Sequence, residues 1–169
     1  GYGAHSAVTM LLGVRDGQLV DLLADQLPSN TDYDMTMKIH PQPSCDINQD
    51  GITEIATQLV TIGNEELSYA EMPLITNWAA WDENRAELKT VAQSYSSVQA
   101  GFQFLFPTAW IDQVTVGEEI GSEKDRHPFE SKVTFYYVDE NGQRQDELLM
   151  LYMVAPSYRA KFEELYPAP

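Results

Sequence analysis

The sequence predicts a mainly antiparallel β fold of the α+β class: a small β unit holding an acidic loop over residues 1–70, then an antiparallel sheet with a C-terminal helix over 71–169. Three observations predict it. Apolar and polar residues alternate in short runs along most of the chain, the period of a half-buried strand. Turn signals, Asp16-Gly17 and Asn141-Gly142 foremost, punctuate those runs at hairpin spacing. Only Ser157–Tyr166 carries helical periodicity.

In chain order, Ala7–Val14 and Gln18–Leu23 flank Arg15-Asp16-Gly17, where Asp-Gly tolerates the positive φ of a tight hairpin. Met35–Ile39 and Ile55–Thr61 read as the third and fourth strands, with the acidic loop between them. Leu74–Trp81 and Glu87–Tyr95 form a second hairpin around Asp82-Glu83-Asn84-Arg85. Ser94–Val98 reads as a helical turn. Phe102–Phe106 and Trp110–Val116 are separated by Pro107, which cannot donate to a ladder, so a corner is expected there with Phe106 and Trp110 in the core. Gly117–Glu130 is polar and charged and reads as a mobile loop. Lys132–Val138 and Glu147–Val154 flank the Asn141-Gly142 turn. In the terminal helix Pro156 sits near the first turn, and Tyr158, Phe162 and Leu165 share a face. A composition shift at residues 65–73 sets the expected boundary near residue 70.

The charge is lopsided. Ten Lys and Arg stand against 26 Asp and Glu, a net charge of −16 over 169 residues. Nucleic acid and anionic membranes need clustered cations, so neither is the expected partner. Cations are favoured as ligands. No apolar run reaches the roughly 18 residues of a membrane span. A single cysteine, Cys45, excludes an internal disulfide and a Cys-rich zinc site.

The one motif that carries chemistry is Asp46-x-Asn48-x-Asp50-Gly51-Ile52-x-Glu54. Oxygen-bearing side chains fall at loop positions 1, 3, 5 and 9, and Ile52 at position 7 offers a backbone carbonyl. Alternate residues of a tightly curled loop converge on one point, and calcium takes six to eight hard oxygens at about 2.3–2.6 Å. Gly51 permits the turn that a Cβ would obstruct. Three carboxylates suit calcium better than magnesium, and the absence of His or Cys ligands disfavours zinc and copper. Asp46, Asn48, Asp50, Ile52 and Glu54 are therefore the expected ligands, with calcium the expected cofactor. An EF-hand or dockerin loop would need an acid at position 12 and a following helix; position 12 is Thr57, and a strand-like run follows.

An acid at position 9, between two strands, resembles the calcium loop of FG-GAP and VCBS repeats, with the pattern D-x-[ND]-x-D-G-x-x-[DE]. The resemblance covers roughly residues 5–62 and implies an extracellular setting. Such repeats are blades of propellers with four to eight blades, and one such loop cannot make a complete propeller. In the second half, Gly101-Phe102-Gln103-Phe104-Leu105-Phe106-Pro107-Thr108-Ala109-Trp110 precedes Val133–Tyr137. That arrangement resembles the opening of the PsbP-like fold, and more closely domains of Gram-positive surface lipoproteins, over roughly residues 73–165. It implies a location rather than an activity.

The remaining candidates have plain readings. His5, His40 and His127 are scattered without ligand spacing. No Gly-x-Ser-x-Gly elbow is present. Glu118, Glu119, Glu123 and Asp125 read as solvated loop residues, and Asp139, Glu140, Asp146 and Glu147 as solvated turn residues. Trp78 and Trp81 fall on opposite faces of one strand, and Trp110, Tyr95, Tyr136, Tyr137 and Tyr152 add to the aromatic content. A two-sided core is the simpler expectation, and a platform for a glycan or protein ligand the sharper one.

The sequence thus points to a non-catalytic, calcium-stabilised binding or sensing module of a secreted or cell-surface bacterial protein. The alternative is a catalytic or accessory domain of a secreted glycan hydrolase. Gly1-Tyr2-Gly3-Ala4 begins abruptly before the first strand, so the chain is expected to be the C-terminal part of a longer exported protein, lipid-anchored through its N-terminal region.

Overall fold

The computed structural model describes residues 7–23, 36–38, 42–68, 71–97, 100–121 and 128–167. Its strands are β1 (Leu12–Arg15), β2 (Gln18–Asp21), β3 (Ile55–Val60), β4 (Leu74–Asp82), β5 (Glu87–Ser97), β6 (Phe102–Leu105), β7 (Val114–Ile120), β8 (Ser131–Val138) and β9 (Arg144–Met153). A short helix, α1 (Arg159–Leu165), closes the described chain. The fold is mostly antiparallel β with that one helix, the mainly-β class expected. No helix among the described residues is long and apolar enough to cross a membrane.

The strands form three sheets: β1-β2, β3-β4-β5-β6 and β7-β8-β9, each in that order. The first hairpin pairs Val14 with Leu19 and Arg15 with Gln18. Asp16 and Gly17 have φ of 52° and 77°, the two left-handed residues of a type I′ turn. Its apolar side chains Leu12, Val14 and Leu19 are exposed. Between β4 and β5, Asp82 Oδ1 accepts the N–H groups of Asn84 and Arg85, and Ala86 takes a φ of 53° to return the chain. Between β8 and β9, Asp139 Oδ1 accepts from Asn141 and Gln143, and Gly142 sits at φ 73°. The Gln143 N–H first, with Asn141 and Gln145 behind it, holds the Asp139 carboxyl below its ordinary range. Residues 36–38 carry a single bridge, Ala7 to Lys38, where a strand over Met35–Ile39 was expected; Met35 and Ile39 lie outside the described residues.

Two compact units emerge. Unit 1 is Gly1–Leu59 with Thr76–Ser94, and unit 2 is Val60–Ile75 with Tyr95–Pro169. In unit 1, Ala56, Trp78 and Ala92 are buried, and Cys45, Ile47 and Val91 pack on them half-buried. Trp78 is 2% exposed, and its indole N–H donates to Ser94 Oγ at 2.9 Å. Lys38 is also buried, donating to Thr9 Oγ1 at 2.8 Å and to the Gln42 carbonyl at 3.0 Å.

In unit 2, Ile75, Tyr95, Phe106, Val114, Val116, Val133 and Phe135 form the core, joined by half-buried Phe102, Phe104, Trp110, Leu149 and Leu151. The β7–β8–β9 sheet supplies one wall. Val116 opposes Phe135, and Phe135 opposes Leu149. Phe135 lies at the centre, with Tyr95, Phe104, Phe106 and Trp110 all within 6.2 Å of its ring.

Three expectations are corrected. Of the helical turn expected over Ser94–Val98, residues 94–97 are strand instead: β5 runs on through Ser97, with Ser94 accepting from the buried Trp78 and Ser97 donating to the half-buried Glu118, while Val98 lies outside the described residues. Trp110 does not begin a strand. It ends a 3₁₀ turn, Thr108–Trp110, in which its N–H reaches the Pro107 carbonyl at 2.8 Å. Asp112 then takes φ 60°, and β7 begins at Val114. Phe106 is buried as expected, whereas Trp110 is half-buried against the core. Finally, Gly117–Glu130 is not wholly loop: Gly117–Ile120 pairs with Ser131–Thr134 in β7–β8. Its tip at 122–127 lies outside the described residues. At the C-terminus Phe162 meets Tyr152 edge-on and stacks on Tyr166 as an inward face should, but Leu165 is exposed.

Candidate functional site

The acidic loop of unit 1 is closed at its base by a two-way backbone bridge. Cys45 N–H donates to the Glu54 carbonyl at 3.2 Å, and Glu54 N–H returns to the Cys45 carbonyl at 2.9 Å. The chain between them curls through two left-handed residues, Gln49 at φ 62° and Gly51 at φ 87°. Open space surrounds the place a Cβ would take on Gly51, so its glycine answers to backbone conformation and not to crowding.

Side chains inside the loop fold back on its own backbone. Asp46 Oδ1 accepts from Asp50 N–H at 3.0 Å, and Asp46 Oδ2 from Gly51 N–H at 2.9 Å. Asn48 Oδ1 accepts a second share of the Asp50 N–H at 3.0 Å, while Asn48 Nδ2 donates to Asp50 Oδ2 at 2.9 Å. Asp50 Oδ1 accepts from Ile52 N–H at 2.8 Å. Asp46, Asn48, Asp50 and Ile52 are exposed.

Glu54 differs from all of these. It is 0% exposed. Its Oε2 accepts the Ile47 N–H from across the loop at 2.9 Å, which turns the carboxylate inward. Its Oε1 is buried and has no hydrogen-bond partner. A buried carboxylate oxygen without a partner is costly, several kcal/mol by order of magnitude. The site therefore asks for a positive or protic group that the described protein atoms do not supply.

Among the described residues, no three His, Cys, Asp or Glu side chains are gathered tightly enough to hold a metal. Each carboxylate oxygen of Asp46 and Asp50 faces an N–H donor of its own loop. Every one of them keeps a second lone pair, since a carboxylate accepts about four bonds. The donor set is all-oxygen and three-quarters acidic by side chain, which suits a hard divalent cation.

A second polar cluster, in unit 2, was missed by the sequence reading, which placed Glu118 in a solvated loop. Glu118 lies on β7, and its two oxygens accept from Tyr95 at 2.9 Å and from Ser97 at 3.0 Å. Burial, then the Glu118 charge, pushes the Tyr95 hydroxyl above the ordinary phenol range. The group binds strand to strand and leaves no acid–base pair free. The only local signal was the alternation Tyr95-x-Ser97, which sequence cannot connect to a residue 23 positions away.

Other candidates are quickly placed. His5, His40 and His127 lie outside the described residues, as do Glu123 and Asp125. Of the expected platform rings, Trp78 and Tyr95 are buried, and Trp81, Trp110, Tyr136 and Tyr152 are half-buried. Tyr136 is covered by the Arg144 guanidinium, 3.2 Å from its ring centre, and Tyr137 is 37% exposed. An apolar cleft of about 510 Å³ in unit 2 is lined by Val60, Glu65, Leu67, Ser68 and Met72. Glu65 already caps the Gly63 N–H there, and among the described residues no second titratable group lines the cleft.

Compared with protein-family models, curated proteins and solved structures, the chain matches none.

Proposed function

We propose that this chain is a non-catalytic binding or sensing module whose loop at Asp46–Glu54 takes up calcium and stabilises unit 1. One observation supports the reading: the wholly buried Glu54 at the base of the acidic loop, one oxygen of which is unpartnered. The remaining ligands would be Asp46, Asn48, Asp50 and the Ile52 carbonyl. A bound divalent ion would supply the positive charge that Glu54 Oε1 lacks. Calcium is favoured over magnesium because a flexible loop with three carboxylates suits the looser, larger shell.

The net charge of −16 raises the local concentration of cations around the chain. The exported, cell-surface setting belongs to the same proposal, because an exposed loop of modest charge fills steadily at millimolar calcium. The wider ligand of the module would be a glycan or protein.

Melting with calcium and then with a chelator tests the reading. An ion that binds only the folded state adds about 2.7 kcal/mol at 100 times its Kd. Calcium should raise the midpoint, the chelator should reverse it, and Asp50→Ala should abolish the rise. Asp139→Ala, which removes an acid from a turn of unit 2, should leave the rise intact. An unmoved midpoint defeats the proposal. Equal losses in the two variants would show that only the overall negative field attracts the ion.

A further inference from the structure

Beyond the calcium reading and independent of it, we propose that the cleft of unit 2 at Val60, Glu65, Leu67, Ser68 and Met72 binds a small organic cation, an ammonium group carried on an apolar body. The site is built from one compact loop. Residues 61–73 join β3 to β4, and the two ends are tied where Thr61 Oγ1 donates to the Pro73 carbonyl at 2.7 Å. Loops closed in this way are frequently functional. The near half is pinned to β7: Asn64 Nδ2 donates to the Val116 carbonyl at 2.8 Å, and Thr115 Oγ1 donates to the Ile62 carbonyl at 3.2 Å. In the far half, Leu67 N–H reaches the Asn64 carbonyl at 3.0 Å, and the Ser68 carbonyl accepts from the Glu71 and Met72 N–H groups, both at 2.9 Å. Tyr69 and Ala70 lie outside the described residues. These bonds commit the backbone to its own turns, so the cleft of about 510 Å³ exists before any ligand arrives.

The lining sets the chemistry. Met72 is buried, while Val60 and Leu67 are 52% and 42% exposed, so an apolar body that covers them releases water from apolar surface. Glu65 is held in place, because both its oxygens accept the Gly63 N–H, at 2.9 and 3.0 Å. That bond keeps its carboxyl below the ordinary range, and each oxygen retains a lone pair for a second donor. Ser68 Oγ donates to Glu71 Oε2 at 2.7 Å, which draws a second carboxylate up to the lining. The sequence holds no Lys or Arg between Lys38 and Arg85. Among the described residues no ion pair reaches Glu65, Glu66 or Glu71. Such a field repels an anion and draws a cation. Size selects the class of ligand. The volume lies within the roughly 300–1,000 Å³ of small-molecule sites. The five lining residues fall far short of the roughly 20–30 a side that a stable protein interface needs.

Three probes of one shape separate charge from burial: phenylbutylamine, phenylbutanol and phenylbutyrate. The readout is methyl NMR of the whole chain labelled at its six methionines, with Met72 assigned through Met72→Leu. A chelator is present throughout, so no metal takes part. Glu65→Gln removes the charge and keeps an oxygen for the Gly63 N–H. Glu66→Gln is the control, the same change at an exposed neighbour that does not line the cleft. Leu67→Ser removes an exposed apolar wall, and thermal melting checks that each variant is folded.

Phenylbutylamine should shift the Met72 methyl saturably and more than the other five. It should bind about threefold tighter than phenylbutanol, the scale of a solvent-exposed ion pair, with phenylbutyrate weakest. Glu65→Gln should bring the amine down to the level of the alcohol and leave the alcohol unchanged, and Glu66→Gln should alter neither. Leu67→Ser should weaken both several-fold. A Met72 methyl that no probe moves overturns the proposal, as does equal binding of amine and alcohol by wild type. Equal losses in Glu65→Gln and Glu66→Gln overturn it too, since the overall negative field would then suffice. With metal absent from every titration, each of these results leaves the calcium reading untouched.

Discussion

In unit 2 the core is a ring cluster, with four aromatic side chains gathered on Phe135 and valines from two adjacent strands beneath them. In unit 1 the buried cluster shrinks to one tryptophan between two alanines, and much of what is buried beside it is polar: Thr36, Lys38, Glu54, Thr57, Thr76, Gln93 and Ser94. At about 25 cal/mol per Å² of apolar area, burial of the rings and valines is the main stabilising term in unit 2. Buried polar groups contribute a net stabilisation of only about 1 kcal/mol each when satisfied and a penalty when not. Unit 1 carries such a penalty at Glu54. The difference teaches where an ion would matter: in the unit whose core is thin and whose buried carboxylate is half satisfied.

The comparison breaks most readily at Phe135. It is 0% exposed and touches four rings, so Phe135→Ala should cost unit 2 about 3–5 kcal/mol, the range for buried aromatics. Denaturant unfolding measures it, with calcium present and absent. A loss under about 1 kcal/mol would mean that the ring cluster is not what holds unit 2. Trp110→Ala, at the half-buried rim of the same cluster, should cost about half as much. Hydrogen exchange read peptide by peptide sharpens the contrast: chelation should speed exchange in β3 and around residues 45–54 while leaving β7 and β8 protected. Uniform acceleration across both units would dissolve the distinction.

The Tyr95–Glu118–Ser97 cluster gives unit 2 its own pH signature. The Tyr95 hydroxyl is raised above its ordinary value of 10.0 by burial and then by Glu118. The unfolded chain therefore ionises first. Its contribution to stability is complete below about pH 10 and declines as pH rises further. Unfolding measured from about pH 8 to 11 should show wild type losing more stability than Tyr95→Phe. Parallel curves would show that neither burial nor the Glu118 charge raises the Tyr95 hydroxyl in the folded chain. At neutral pH the Phe variant should be weaker by about 1–2 kcal/mol, since one Glu118 oxygen loses its donor.

These groups also show what was legible in the sequence. Most strands were readable because alternation and Asp-Gly or Asn-Gly turns are local signals, encoded within a few residues of one another, although the strand expected over Ala7–Val14 begins only at Leu12. The proposed loop ligands rest on the same kind of local signal, since all five lie within nine residues. Illegible were features made by partners far along the chain. Ser94 and Ser97 look like turn residues until Trp78 and Glu118 bond to them. Glu118 looks solvated until Tyr95 arrives. Trp110 was misplaced for a local reason of a different kind: Pro107 offers its carbonyl to a 3₁₀ turn, and apolar alternation does not report such a turn. The unpartnered oxygen of Glu54 was beyond sequence as well, because burial is a property of what packs around a residue.

The smallest predicted effect is also the most closely matched between the units. Gly51 in the acidic loop and Gly142 in the β8–β9 turn sit at φ 87° and 73°, each with open space where a Cβ would go. Alanine at either place meets no neighbour, so both variants pay only the left-handed backbone penalty, about 1 kcal/mol. Metal-free, Gly51→Ala and Gly142→Ala should therefore lower stability alike. With calcium present they should part. The Gly51 N–H holds Asp46 Oδ2, and relaxing φ at residue 51 tilts that bond and spoils the convergence of Asp46 with Asp50. Gly51→Ala should then lose calcium affinity several-fold, while Gly142→Ala binds as wild type does. The backbone strain cancels in the comparison, so a difference that appears only with calcium belongs to the loop's geometry. If the two variants stay matched at saturating calcium, the curl at Gly51 serves the turn alone, and ion binding in this loop does not depend on it.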